Sequence, residues 1–199
     1  MSLVPFTRWP EAFAERYRRA GYWRGEPLSQ MLVEQASTQP DAVAVIDGSK
    51  VMSYADLDQA STNLAQRLAN RGLGQGDRAL VQLGNQAELY VVLFALIKAG
   101  IAPVNALFSH NRLELVAYAA QIRPRLLIAS RAHSLFTGDA FVEELTESIP
   151  DLDTVLLHDD PHPELCLQSW FEPAKVLRSF RPTPAGEVAF FQLSGGSTG

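Results

Sequence analysis

The 199-residue sequence has a single cysteine, no apolar run longer than eleven residues and no excess of basic charge. With only Cys166 available, no internal disulfide can form, which fits a reducing, cytoplasmic setting. Met1 to Pro10 contains no apolar h-region, so no signal peptide is expected. The most apolar stretch is Leu89 to Ala99, interrupted only by Tyr90 and Lys98. It falls well short of the roughly 20 residues that cross a bilayer, and reads as a buried helix. A net charge of -5 and a pI near 5.4 argue against a nucleic-acid surface, which needs clustered Lys and Arg. The one basic cluster, Arg16, Arg18, Arg19 and Arg24, has Glu11 and Glu15 beside it and reads as a solvated helix face. No internal repeat or low-complexity tract is present. What remains is an ordinary globular composition, 47% hydrophobic and 20% charged, of a length that suits one domain.

The pattern of elements narrows the fold class. Thr7 is a candidate N-cap, with Pro10 in the first turn and Phe13 and Tyr17 spaced i, i+4 behind it, for a short helix ending near Gly21. Leu28, Leu32 and Ala36 form a second short stripe after Ser29, stopped by Pro40. Ala42–Ile46 and Val51–Ser53 flank Asp47-Gly48 and predict a β-hairpin. Ser53 and Asp56 resemble a capping box that opens a helix bearing Leu57, Leu64 and Leu68 and stopping at Gly72.

Ala79–Leu83 then reads as a buried strand, followed by the apolar helix that Gly100 ends. Ile101–Val104 is the next strand candidate, weakened by Pro103, which offers no donor to a central ladder. A helix over about 111–120 should bury Leu113, Val116 and Ala120. Leu126–Ala129 is a strand, Phe141–Ile149 a helix and Thr154–Leu157 a strand. Residues 158–186 read as a surface excursion with one short helix, and Val188–Leu193 as a last, buried strand. Strands alternating with helices predict an α/β fold, a mostly parallel sheet flanked by helices on both faces.

The last strand runs straight into Ser194, Gly195, Gly196, Ser197, Thr198 and Gly199. Three glycines let the backbone approach a ligand closely, and successive N–H groups can converge on an anion. The hydroxyls of Ser194, Ser197 and Thr198 add donors suited to phosphate oxygens. The spacing and the missing lysine exclude a Walker loop. The competing reading is a Gly/Ser tail or linker, which a strand leading directly into the loop makes the weaker one.

This strand-S-G-G-S-T-G element resembles the phosphate loop of the adenylate-forming superfamily. Met52-Ser53-Tyr54-Ala55-Asp56-Leu57 and Leu96 through Val104 resemble two further motifs of that superfamily, in the right order. The opening Pro5-Phe6-Thr7-Arg8-Trp9-Pro10-Glu11, Gly21-Tyr22-Trp23, Val81 through Asn85 with Ala87 through Tyr90, and Ala106 through His110 are similar to 2,3-dihydroxybenzoate–AMP ligases. That is the stand-alone aryl-acid branch of siderophore biosynthesis, and salicylate–AMP ligases share much of the likeness.

The resemblance implies several things about the chain. Residues 1–199 would be the first part of the large adenylation domain, interrupted in the phosphate loop and without the C-terminal domain. The parent enzyme would use ATP and Mg²⁺ to convert an aromatic acid to its acyl-adenylate. It would then load a phosphopantetheinylated aryl carrier protein. Ser194 through Gly199 would cradle ATP phosphates, and no catalytic residue would lie in this chain, leaving it inactive alone. The rival of another class is a non-catalytic module that keeps the loop and binds a nucleotide or a partner.

Other residues invite weaker readings. His158, Asp159, Asp160 and His162 are ligand-type residues in a Pro-bounded loop and read as solvated rather than as a metal site. His110 reads as a hydrogen-bonded loop histidine, with a place near the active cleft as the alternative. Cys166 has no partner arrangement for a nucleophile. Trp9, Tyr17, Tyr22 and Trp23 are expected to anchor the N-terminal helix to the body.

Overall fold

A computed structural model describes residues 3–193. Among the described residues there are six α-helices: α1 (Glu11–Arg19), α2 (Gln30–Thr38), α3 (Tyr54–Asn70), α4 (Ala87–Ala99), α5 (Arg112–Ile122) and α6 (Ala140–Ser148). The strands are β1 (Val43–Asp47), β2 (Lys50–Ser53), β3 (Arg78–Gln82), β4 (Ala102–Asn105), β5 (Leu126–Ser130), β6 (Thr154–His158) and β7 (Phe191–Gln192). β1 and β2 form an antiparallel hairpin, and the other five strands form a parallel sheet in the order β6-β5-β3-β4-β7.

The period-two alternation of the strands divides the core into two layers. Ala79, Val81, Leu126, Ile128 and Leu156 face α3 and α4, meeting Leu64, Leu68, Ala95 and Leu96. Leu80, Val104, Leu127, Ala129 and Leu157 face the other way, onto Leu115 and Ala119 of α5 and Phe141 and Leu145 of α6. Both faces of the central strands are therefore dry, which is why these strands read as continuous apolar runs.

Several ends form where the sequence signals them. Ser53 and Asp56 make a full capping box at α3, with Asp56 N–H to Ser53 Oγ at 3.1 Å and Ser53 N–H to Asp56 Oδ2 at 2.9 Å. Asn111 and Glu114 make another at α5. Gly100 ends α4 in the left-handed region at φ 78°. A Cβ there would lie 2.5 Å from Gln75 Cγ and 2.8 Å from the Arg181 carbonyl, so space as well as φ demands glycine.

Other expectations are corrected. α1 begins at Glu11, not behind Thr7, because the residue before a proline is driven to extended backbone and Pro10 itself sits at ψ 132°. The hairpin turn is shifted by one residue: Asp47 pairs with Lys50 and leaves Gly48-Ser49 in the turn. In α5 the buried residues are Leu115 and Ala119, while Leu113 is 80% exposed. That helix is apolar nearly all round, so periodicity alone could not choose its inner face. Pro103 sits in a strand flanked on both sides, paired with Ala79. The N–H groups of Ala102 and Ala106 bond to Asp77 and Val81 of the β3 side, so Pro103 points to the β7 side. There β7 pairs only with Val104 and Asn105, and no donor is needed from the proline.

The excursion over 158–186 is tied down rather than loose. Its 3₁₀ turn Leu167–Phe171 buries Leu167 and Trp170 against α3 and α4. Beyond it, polar side chains along one face of α3 donate to backbone carbonyls of the strap. Asn63 reaches Phe171 (2.6 Å), Arg67 reaches Glu172 (2.9 Å), Asn70 reaches Val176 (2.7 Å) and Gln66 reaches Arg178 (2.6 Å). Gln75 adds a bond to Pro182 at 2.9 Å.

Candidate functional site

In an open parallel sheet the strand carboxyl ends form the rim where ligands bind, at the point where successive connections leave toward opposite faces. Here the chain leaves β3 into α4 on one face, whereas β4 and β5 lead into α5 and α6 on the other. The carboxyl end of β3 is therefore the switch point, and Gln82 occupies it.

Gln82 is completely buried. Its Nε2 donates to the carbonyls of Leu107 (3.0 Å) and His110 (2.8 Å), which pins the loop after β4 over the rim. Its Oε1 is buried without a hydrogen-bond partner among the described residues. His110 lies 3.3 Å from the Tyr118 hydroxyl through Nδ1 and stacks obliquely on that ring, so it is a hydrogen-bonded loop histidine, as expected. Phe108 meets the His133 ring edge-on at 5.1 Å, and His133 Nδ1 accepts from Leu135 N–H at 3.2 Å.

Charged groups brace the rest of the rim. Arg131, just past β5, binds Asp160 (2.7 Å) and Asp139 (2.8 Å) and the carbonyls of Phe136 and Gly138. Asp160, one of the ligand-type residues after β6, is buried and committed to Arg131. The hairpin is fastened to the start of α4 twice. Asp47 Oδ2 accepts from Ala87 N–H at 3.0 Å, and Lys50 pairs with buried Glu88. His158 at the end of β6 approaches Glu88 (3.8 Å) from the other side. Burial by itself pushes the Glu88 carboxyl up. The hydrogen bond from Lys50, a backbone donor and the Lys50 and His158 charges outweigh burial and hold the group below its usual 4.5.

The two further motifs, Met52–Leu57 and Leu96–Val104, lie at joints of the fold. Met52–Leu57 is the joint between β2 and α3, with Asp56 held low by its hydrogen bonds to the Ser53 backbone and hydroxyl. Leu96–Val104 is the end of α4, the Gly100 stop and most of β4, running from the edge of the sheet opposite the rim toward it. Lys98 in this motif is buried, donating to Asp58 O (2.9 Å), Asp58 Oδ1 (2.6 Å), Ser61 Oγ (2.8 Å) and Thr62 Oγ1 (2.8 Å). Burial pushes its pKa down against the opposing pull of Asp58.

The expected phosphate loop, Ser194, Gly195, Gly196, Ser197, Thr198 and Gly199, lies outside the described residues. The strand that precedes it is shorter and wetter than expected. Only Phe191 and Gln192 pair, in parallel with Val104 and Asn105, and Phe190 is 44% exposed. As the edge strand, β7 has one neighbour, β4, so half of its surface stays open. Its direction nevertheless delivers the chain to the same rim as Gln82. Among the described residues no group of three His, Cys, Asp or Glu converges to hold a metal ion. Cys166 is half-buried, with its thiol 3.4 Å from Gln168 Oε1.

The N-terminal aromatics do not anchor α1 to the body as expected. Trp9, Tyr17, Tyr22 and Trp23 pack on one another, with ring centroids 5.4–6.4 Å apart. The segment is tied down instead by Glu187, which accepts from Leu3 N–H (3.0 Å) and Arg8 Nη2 (2.9 Å).

Gln82, Arg131, Asp47 and Glu88 were not separable in the sequence as rim residues. The signal available was their position just beyond a strand or just before a helix, which becomes informative only when the strand order is known.

Comparison with known proteins follows the same lines. Residues 32–199 match the family described as AMP-binding enzyme. Pseudomonine synthase PmsE of Pseudomonas entomophila is 53% identical over 98% of this chain and 32% of its own length. Enterobactin synthase component E of Escherichia coli is 50% identical over 98% of this chain and 36% of its own. The apo structure of Mycobacterium smegmatis MbtA superposes on the whole chain with a TM-score of 0.87 at 37% identity, and the chain covers 37% of it. The chain spans about a third of the length of these relatives. From this extent of match and the parallel sheet that accompanies it, the chain belongs to the AMP-binding enzyme family.

Proposed function

We propose that the protein to which this chain contributes activates an aromatic carboxylic acid, 2,3-dihydroxybenzoate, for siderophore assembly. A carboxylate oxygen attacks the α-phosphorus of ATP, the bond to the β-phosphate oxygen breaks, and pyrophosphate leaves. The thiol of a phosphopantetheinylated aryl carrier protein then attacks the acyl carbon of the adenylate and releases AMP. The observation that carries this reading is half or more identity, across nearly the whole chain, to a pseudomonine synthase and a component of enterobactin synthase. The direction of β7 supports it, because the strand runs parallel to β4 and so points its end toward the carboxyl rim of the sheet.

In this reading the chain contributes a scaffold and one wall. Oriented amides and hydroxyls of Ser194, Gly195, Gly196, Ser197, Thr198 and Gly199 would receive the departing pyrophosphate, whose charge develops as the bond breaks. Gln82 holds the Leu107–His110 loop at the carboxyl rim. Mg²⁺ would neutralise phosphate charge, and among the described residues no group of His, Cys, Asp or Glu is gathered to hold it. The aromatic-acid pocket would belong to the remainder of the protein, so residues 1–199 alone would be inactive. No helix among the described residues is long and apolar enough to cross a membrane, and the proposed setting is the cytoplasm.

ATP–pyrophosphate exchange by the full-length protein tests the proposal. Exchange stimulated by 2,3-dihydroxybenzoate is expected. Stimulation by salicylate alone would move the assignment to the sister activity, and stimulation only by aliphatic amino acids would end it.

A further inference from the structure

The strap that follows the 3₁₀ turn carries charge of one sign. Pro173 through Gly186 contains Lys175, Arg178 and Arg181 and no Asp or Glu, in a sequence whose net charge is -5. Its bonds to α3 bring it against two further cations, Arg67 and Arg71, at the end of that helix. Arg67, Arg71, Lys175 and Arg178 line one open hollow of about 610 Å³, in which Glu164 is the single carboxylate. Because α3 leads into β3, the hollow stands at the amino edge of the sheet, opposite the rim.

None of the four cations is committed to a carboxylate among the described residues. Arg67 donates to the backbone carbonyls of Glu172 (2.9 Å) and Pro173 (3.3 Å), which fixes the side chain and leaves its charge in place. Arg71 lies over the Trp170 ring, 5.6 Å from its centre. Asp153, whose carboxylate feels the Arg71 charge, is bound to Arg125 at 2.6 Å. Lys175 and Arg178 are exposed and form no ion pair. Exposed Glu164 forms none either, and only its carbonyl is engaged, by Trp170 Nε1 at 3.2 Å.

A helix C-terminus favours cations, which accounts for Arg67 and Arg71 on local grounds. It does not account for Lys175 and Arg178, which line the same hollow from another element. Like charges gathered around a concavity repel one another, and the same geometry concentrates an anion there. Guanidinium forks match phosphate oxygens two at a time, and small-ligand sites occupy roughly 300–1,000 Å³. Four cations around one hollow are too few to follow a nucleic-acid backbone.

We propose that this hollow binds a compact oligophosphate, free or as the phosphate chain of a nucleotide, with Arg71, Lys175 and Arg178 as donors and Arg67 as a fixed positive wall. The proposal does not rest on the aromatic-acid chemistry above.

Calorimetric titration of the full-length protein tests it, with tripolyphosphate, CTP, citrate, and vesicles of phosphatidylcholine with phosphatidylglycerol. The vesicles are included because Val176 and Leu177 beside the cations are 62% and 78% exposed. Saturable, salt-sensitive binding of tripolyphosphate is expected. Tighter binding of CTP would assign the ligand to nucleotides, and weaker binding to free oligophosphates. Lys175→Glu with Arg178→Glu should weaken tripolyphosphate about tenfold or more, with ATP–pyrophosphate exchange unchanged. Lys175→Gln with Arg178→Gln should weaken it less, and this pair decides the matter if the first lowers the melting temperature. Binding that survives both pairs belongs to another part of the protein and would overturn the proposal. Equal binding of citrate, or preference for the vesicles, would do the same.

Discussion

Lys98 shows how one side chain can carry an apparently functional motif for structural reasons. Its ammonium is buried, yet it has four oxygen acceptors from Asp58, Ser61 and Thr62, so a charge that burial disfavours is fully hydrogen-bonded. It thereby ties α4 to α3 in the layer beneath the rim. Lys98→Ala strands the Asp58 carboxylate and leaves a void, and should cost about 3 kcal/mol in urea unfolding. Lys98→Met keeps the stem packed and should cost clearly less. Equal losses for the two would mean that the hydrogen bonds, not the packing, dominate.

Glu88 makes a pH-dependent contribution at the same scale. Its carboxyl is held below 4.5 in the folded protein, so the unfolded chain binds more protons in that range. The stability it contributes is complete above its unfolded value and is lost as pH falls through the lower folded value. Glu88→Gln should therefore flatten the fall of the urea midpoint as pH drops through and below the usual carboxylate value of 4.5, relative to the unaltered protein. The hairpin, fastened by Lys50 and Asp47, is where hydrogen exchange should report the loosening first.

At the scale of elements, the strap after the 3₁₀ turn depends on side chains of another element. Its carbonyls have no sheet partners and are taken instead by Asn63, Gln66, Arg67, Asn70 and Gln75. Each such bond contributes about 1 kcal/mol. The pair Gln66→Leu and Asn70→Ala is expected to speed hydrogen exchange of residues 176–182 while leaving β3 and β5 as protected as before. Uniform deprotection across the sheet would show that the strap is integral to the core rather than laid over it.

Caps and stops were the most legible features at this scale. The Ser53–Asp56 box, the glycines at 72 and 100 and the hairpin around Gly48 lie within one residue of their expected places. α5 was less legible, because Leu113-Val116-Ala120 and Leu115-Ala119 are both apolar stripes on one short helix. Of the stripe expected to be buried, Val116 packs against the core while Leu113 and Ala120 are exposed. The strap's polar ladder left no periodic signal at all, since Asn and Gln on a helix face read as solvated until their acceptors are known.

For the whole molecule, the open flank of β7 is the weakest point of residues 1–199. A two-residue edge strand with a free side, beside exposed Phe190, invites pairing with another chain. Purified residues 1–199 should self-associate, giving a concentration-dependent elution volume and a broad thermal transition. A sharp, concentration-independent monomeric transition would contradict this. Replacing Phe190 by Lys should shift the chain toward the monomer, because a charge on an edge opposes strand addition.

Local physics settled the inventory of elements, because caps, glycine stops, turn chemistry and apolar periods act over a few residues and are written in consecutive letters. The α/β class followed from their alternation. Tertiary structure alone decided the order β6-β5-β3-β4-β7, and with it the placement of Gln82 at the switch point and the tolerance of Pro103 beside a short edge strand. Those outcomes depend on which strand becomes whose neighbour. That choice is made by contacts between residues dozens of positions apart, through burial of whole faces rather than through any short run of sequence.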